Sequence, residues 1–146
     1  MDSRRTAQRW LYLVGLLILT AALYAPYRAA PWVYEDDNWL PQVSVAPTRW
    51  HVPSRALTMQ TYHWNWQVAG YEPRLYRVSD LGLHITAGLL VYGVASTFIP
   101  GMAAVVSAGV FLLHPLNSEA ASYVSARPDL LMAVFVLLAI WLSLHR

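Results

Sequence analysis

The stretch DLGLHITAGLLVYGVASTFIPGMAAVVSAGVFLL, residues 80–113, decides the fold. From Asp80 to Ile99 it is apolar enough, and close enough to the ~20 residues a helix needs, to cross the hydrocarbon layer of a bilayer. Pro100-Gly101 then reads as a tight turn. Met102 to about Leu113 heads back across, although it is short for a span by the ~20-residue measure. It either extends through the polar residues beyond it or ends below the surface. A helical hairpin with so little charge has nothing to gain from water and belongs in lipid.

The flanks repeat the pattern. Trp10 to Tyr24 is a first apolar run, and Leu130 to Leu144 a last one. The chain is 57% apolar and 12% charged, too greasy for a soluble domain of 146 residues. The expected fold class is therefore all-α: a polytopic helical membrane protein with about four transmembrane helices, near residues 10–25, 80–99, 102–115 and 129–144. The two loops on one side are expected to carry interfacial helices. Residues 1–146 read as a single membrane module, and the abrupt stop after the last span reads as the opening part of a longer transferase.

Arg4, Arg5 and Arg9 precede the first span, so the N-terminus is expected on the cytoplasmic side and both polar loops on the outer side, in a bacterial inner membrane. No clean small-x-small site follows, and Tyr24-Ala25-Pro26-Tyr27 reads as an interfacial aromatic belt rather than a cleaved leader. Between Pro26 and about Arg77 lies a long hydrophilic loop rich in Trp and Tyr. Such rings prefer the headgroup layer, and Ser54 to about Trp66 is expected to form a helix there. Asn117 to Ala126 is expected to form a second surface helix. Pro128 and Asp129 suit the first turn of the last span.

There is no cysteine, hence no disulfide or thiolate site. All ten basic residues are Arg. A net charge of +2 is too small to argue for nucleic acid, and no nucleic-acid motif is present. A phosphate-binding Gly-rich loop, a nucleophile elbow and a His-Glu-x-x-His pair are all missing.

Scarce acidic residues concentrate near the outer face. Glu35-Asp36-Asp37 puts adjacent carboxylates at the bilayer edge, where they repel unless a cation, an Arg or a shared proton relieves them. That chemistry suits a general base acting on a hydroxyl, or a hard divalent cation such as Mg²⁺ or Mn²⁺ held by Asp36 and Asp37; it also suits a solvated helix cap. In the second loop, Glu119, Ser122, Tyr123 and Ala126 share one helix face. Glu119 and Arg127 then either flank a pocket in which Arg127 meets a lipid-linked phosphate, or form a structural ion pair, with His114 capping the third span. Arg77, Asp80 and His84 stand at helical spacing. Asp80 and His84 read as a mutually satisfied pair, because a metal there lacks a third ligand.

These residues resemble a known family. Tyr34-Glu35-Asp36-Asp37, then Glu72-Pro73-Arg74-Leu75-Tyr76-Arg77 with Leu81-Gly82-Leu83-His84, then His114-Pro115-Leu116-Asn117-Ser118-Glu119-Ala120 with Ser125-Ala126-Arg127-Pro128-Asp129-Leu130-Leu131 are similar to the N-terminal membrane part of GT-C-fold glycosyltransferases. The nearest type is the protein O-mannosyltransferase-like group that carries tetratricopeptide repeats. The resemblance implies transfer of a sugar, mannose favoured, from a polyprenyl-phosphate donor to a protein or glycan hydroxyl. It implies Asp36 or Asp37 as catalytic base or metal ligand. Glu35, Arg77, His84, His114, Glu119, Arg127 and Asp129 would then bind substrate. Departures from the pattern are Asp80 and Ala87 where Asn is frequent, Ala126 where Gly is common, and Pro128 after Arg127. The alternative expectation is a non-catalytic helical membrane module that binds lipid or a partner.

Overall fold

A computed structural model describes residues 3–32, 36, 44 and 55–146. Every element within them is helical: α1 (Ser3–Tyr24), a 3-10 turn (Pro26–Ala29), α2 (Ala56–Ala69), α3 (Pro73–Phe98), α4 (Gly101–Leu113), α5 (Pro115–Ser122), a second 3-10 turn (Val124–Ala126) and α6 (Arg127–Leu144). Three stretches are long and apolar enough to span a bilayer: Thr6–Ala29, Pro73–Phe98 and Val124–Leu144. α4 and α5 qualify together as a fourth, bent by 60° between them. The chain is an all-α polytopic membrane protein.

The boundaries differ from the sequence reading in ways that local chemistry explains. α3 begins at Pro73, seven residues before Asp80. Glu72 is its N-cap and accepts a hydrogen bond from the Arg74 N–H, and Pro73 occupies the first turn, where a missing N–H costs nothing. The short third span reaches span length only when α5 is counted with it. Pro115 cannot continue α4, so the chain turns at His114, whose Nδ1 accepts from the Leu116 N–H and caps α5. His114 thus stands at the C-cap of α4, as expected, while its side chain caps the start of α5. The second surface helix runs Pro115–Ser122, stopped where Tyr123 turns extended, and Val124–Ala126 is 3-10. Gly70 ends α2 at φ +55°, in the left-handed region that favours glycine.

α3 is the central helix. It packs along α4 on one side and α6 on the other, and α1 lies against α4. Apolar side chains such as Val14 and Ile18 on α1, Val106 and Val110 on α4, and Phe135 and Val136 on α6 point outward. Several of the largest fully buried side chains are polar or charged: Arg127, His84, Asp36 and Asp80. In water this inversion would be ruinous; in lipid it is the expected arrangement, because apolar surface costs nothing outside and charge is tolerated only inside, paired.

The α3–α4 contact is close. A Cβ built on Gly88 would lie 2.5 Å from Leu112 Cγ. The Leu112 carbonyl also lies 3.1 Å from His84 Nε2, so separating these helices strains a buried hydrogen bond as well. Gly88→Val should cost about 1–3 kcal/mol by overpacking. Thermal unfolding of the detergent-solubilised chain measures this, and an unchanged midpoint would mean that the helices separate freely.

At the far end of the bundle, Arg9 of α1 lies against Gly101. At the near end, α1, α3, α5 and α6 meet, and α2 closes over them through Met59 and Tyr62, packed with Tyr76 and Val124. The two polar loops therefore emerge on the same side.

Candidate functional site

α3 presents Arg77, Asp80 and His84 along one buried face, at three- and four-residue spacing. α6 begins with Arg127, 1% exposed, directed into that face. Arg127 Nε donates to Asp80 Oδ1 at 2.5 Å. One terminal nitrogen donates to Asn65 Oδ1 at 2.7 Å and Thr61 Oγ1 at 3.3 Å, and the other to the Tyr76 carbonyl at 3.0 Å. The guanidinium also sits 4.4 Å from the centroid of the Tyr62 ring. Four of the five N–H bonds that an arginine carries are thereby directed at protein acceptors.

Tyr62 crosses the cluster to donate its hydroxyl proton to the Val124 carbonyl at 2.6 Å. Burial pushes its hydroxyl well above the usual tyrosine value, only partly offset by the nearby Arg127 cation, so it remains a donor at neutral pH. Asp36 from the first loop reaches the same 3-10 turn. Its Oδ1 accepts from the Ser125 N–H at 3.1 Å and the Ser125 hydroxyl at 2.8 Å. Its Oδ2 is buried and has no partner, as is Oδ2 of Asp80. Among the described residues the two polar loops are joined at this turn, through Tyr62 and Asp36.

Arg77 faces the same end but does other work. Its terminal nitrogens donate to the carbonyls of Tyr27 at 2.8 Å and Pro31 at 2.5 Å, and to that of Ala30. It fastens the start of the first loop to α3, while its Nε is buried without a partner. Trp32 adds a second tie, donating from Nε1 to the Tyr71 carbonyl at 3.0 Å. Arg77→Met should destabilise the chain by about 1.5–3 kcal/mol, the worth of a charge-assisted hydrogen bond, and release this segment. Limited proteolysis between residues 27 and 36 reads that release; equal resistance in the variant would show that Trp32 alone suffices.

Two pairings differ from the sequence reading. Arg127 pairs with Asp80, not Glu119, which is exposed on α5. Asp80 does not pair with His84, whose Nε2 meets the Leu112 carbonyl while its ring packs between Tyr24 and Phe111. Neither error was avoidable from helical spacing, because Asp80 and Arg127 are 47 positions apart.

The other predicted residues scatter. Asp129 is exposed in the first turn of α6, favourably placed against the helix dipole. His114 stands at the head of an open apolar groove of about 470 Å³, formed with Val106, Gly109, Val110, Leu113 and Pro115. Glu35 and Asp37 lie outside the described residues. Among the described residues no three His, Asp or Glu side chains gather as metal ligands. Thr61, Tyr62, Asn65 and Ser125 were not singled out beforehand. The one signal for the α2 residues was a polar stripe, Thr58, Thr61 and Asn65, at helical spacing within the aromatic-rich loop.

Comparison with known proteins adds the family context. The chain is 26% identical over 107 residues to protein O-mannosyl-transferase TMTC3 of Homo sapiens and 27% identical to that of Mus musculus. It is 35% identical over 97 residues to protein O-mannosyl-transferase Tmtc1 of Drosophila melanogaster. The chain is a distant relative of proteins named as O-mannosyl-transferases. The matches cover 73%, 73% and 66% of this chain but only 12%, 11% and 11% of those proteins, so it spans about an eighth of their length or less. No family model matches the chain, and no solved structure matches it.

Proposed function

We propose that this chain is the opening membrane segment of a glycosyltransferase of the GT-C type, moving a sugar, mannose favoured, from a polyprenyl-phosphate donor to a hydroxyl on protein. The observation that carries the reading is Asp36: a first-loop carboxylate held by one oxygen at the turn before α6, with its other oxygen unpartnered, in a chain whose distant relatives are named as O-mannosyl-transferases. Asp36 Oδ2 accepts the proton of the acceptor hydroxyl. The freed oxygen attacks the anomeric carbon from the side opposite the donor phosphate, and the carbon–oxygen bond to phosphate breaks with its electron pair leaving on the phosphate.

The Arg-flanked N-terminus sets the near end of the bundle on the extracytoplasmic face. The donor's hydrocarbon tail lies in the groove below His114, which is apolar and opens sideways to lipid. With four donors already committed, Arg127 acts on the site by holding Asp80 and α2 in place, and the leaving phosphate takes its countercharge elsewhere in the full-length protein. A divalent cation could be held by Asp36 with Asp37, and would polarise the donor phosphate; no step above depends on it.

The test is sugar transfer by the full-length protein carrying Asp36→Asn, assayed with polyprenyl-phosphate mannose. Turnover should disappear while the fold is kept. One observation favours the rival, a non-catalytic module: Arg127 is buried with its donors directed at protein acceptors rather than at a ligand. Undiminished transfer in both Asp36→Asn and Asp37→Asn proteins would favour that rival for this segment.

A further inference from the structure

The chemistry of Asp36 depends on which of its oxygens is free, and a single residue decides that. Ser125 meets Asp36 twice, through its backbone N–H at 3.1 Å and its hydroxyl at 2.8 Å, both to Oδ1. A carboxylate gripped at one oxygen by two donors cannot rotate without losing both, so its second oxygen keeps a fixed direction. Ser125 is itself fixed. It lies in the 3-10 turn Val124–Ala126, whose first carbonyl is held by Tyr62 and whose next residue, Arg127, is anchored to Asp80, Asn65, Thr61 and Tyr76. The grip on Asp36 is thus built on the most heavily tied segment of the near end. The first loop, for its part, is fastened upstream by Arg77 and Trp32.

We infer that Ser125 is a positioning residue for sugar transfer: it orients the Asp36 carboxylate so that Oδ2 alone faces the acceptor hydroxyl. The inference rests on the function proposed above. Ser125 touches neither sugar nor acceptor and acts only through Asp36. Removing its hydroxyl leaves the backbone N–H as a single tether, about which the carboxylate can swing. Misorientation of a general base slows the chemical step but leaves the binding of either substrate unchanged.

The experiment uses the full-length protein in detergent or proteoliposomes, with polyprenyl-phosphate mannose and a hydroxyl-bearing acceptor peptide. It compares the parent, Ser125→Ala, Ser125→Thr and Asp36→Asn. For Ser125→Ala, kcat should fall about 10- to 100-fold, the scale of a displaced catalytic group. KM for donor and acceptor should stay within about twofold of the parent, since only ground-state binding would move them. Ser125→Thr restores the hydroxyl and should recover most of kcat. Thermal unfolding midpoints report whether the alanine variant is merely unstable.

Three results would overturn the assignment. Ser125→Ala with parental kcat, beside an inactive Asp36→Asn, refutes it and leaves the function intact. A loss that Ser125→Thr does not repair, or one confined to KM, assigns Ser125 to structure or binding. An active Asp36→Asn protein removes Asp36 as the base, and the positioning role of Ser125 with it.

Discussion

Arg127→Met should be the most destabilising single substitution in the bundle, costing about 3–5 kcal/mol, the usual penalty for removing one partner of a buried ion pair. The reason is what the substitution leaves behind. Asp80 is fully buried, its Oδ2 already has no partner, and Arg127 is the only side chain bonded to its Oδ1 among the described residues. Losing the guanidinium also strips Asn65, Thr61 and the Tyr76 carbonyl of their donor. Arg127 and Asp80 are buried within the protein, so water does not readily replace these bonds. Arg127→Lys keeps a charge but offers a point in place of a planar fork, and should recover only part of the loss. Asp80→Asn in the Arg127→Met background removes the stranded charge, so the double variant should be more stable than Arg127→Met alone. Thermal unfolding of the parent, Arg127→Met, Asp80→Asn and the double variant in detergent closes this cycle. Additive losses would mean that the pair contributes no coupling, and the ledger of buried charge would need another explanation. Among the described residues two cations, Arg77 and Arg127, and two carboxylates, Asp36 and Asp80, are buried, so their formal charges cancel.

How much of this was legible beforehand follows from the range of the interactions. Hydropathy is a local sum, so the runs ending at Tyr24, Ile99 and Leu144 announced themselves, as did the turn at Pro100-Gly101. Polar residues at the start of a span misled the count. Arg74 and Arg77 were read as loop, yet α3 begins before them because Arg77 spends its charge on carbonyls of the chain leaving α1. The inward placement of Asp80 and His84 was legible from their spacing. Their partners were not. Nothing in an i, i+4 rule points from Asp80 to Arg127, or from Asp36 to Ser125 across 89 positions. Short-range logic supplied plausible substitutes, Glu119 as the partner of Arg127 and His84 as the partner of Asp80, and tertiary packing overrode both. α2 was placed nearly where it lies, but its polar face carried no recognised motif. Only the assembled bundle shows Thr61, Tyr62 and Asn65 closing on the arginine.

The choice between Asp36 and Asp37, open in the sequence, turns into a prediction. Asp36 is tied to the turn before α6, so Asp36→Asn should lower transfer by about 10²–10⁴-fold, the range that general-base catalysis contributes. Asparagine has nearly the shape of aspartate, and its carbonyl oxygen can still accept from both Ser125 donors. What it lacks is a lone pair basic enough to take a proton at the second position, where an NH₂ group now stands. The substitution therefore separates chemistry from architecture: the unfolding midpoint should stay close to that of the parent. Asp36→Ala abandons the two Ser125 bonds as well and should lower both activity and stability. Asp36→Glu keeps the base but extends its reach by one methylene, and should retain activity between those of the parent and the asparagine variant. Asp37→Asn, measured beside these, assigns the base between the two neighbours. Full turnover in Asp36→Asn with collapse in Asp37→Asn would move the chemistry one residue along and reduce the Asp36–Ser125 contact to a loop anchor. Parental activity in both would leave the buried near end of this bundle as architecture only.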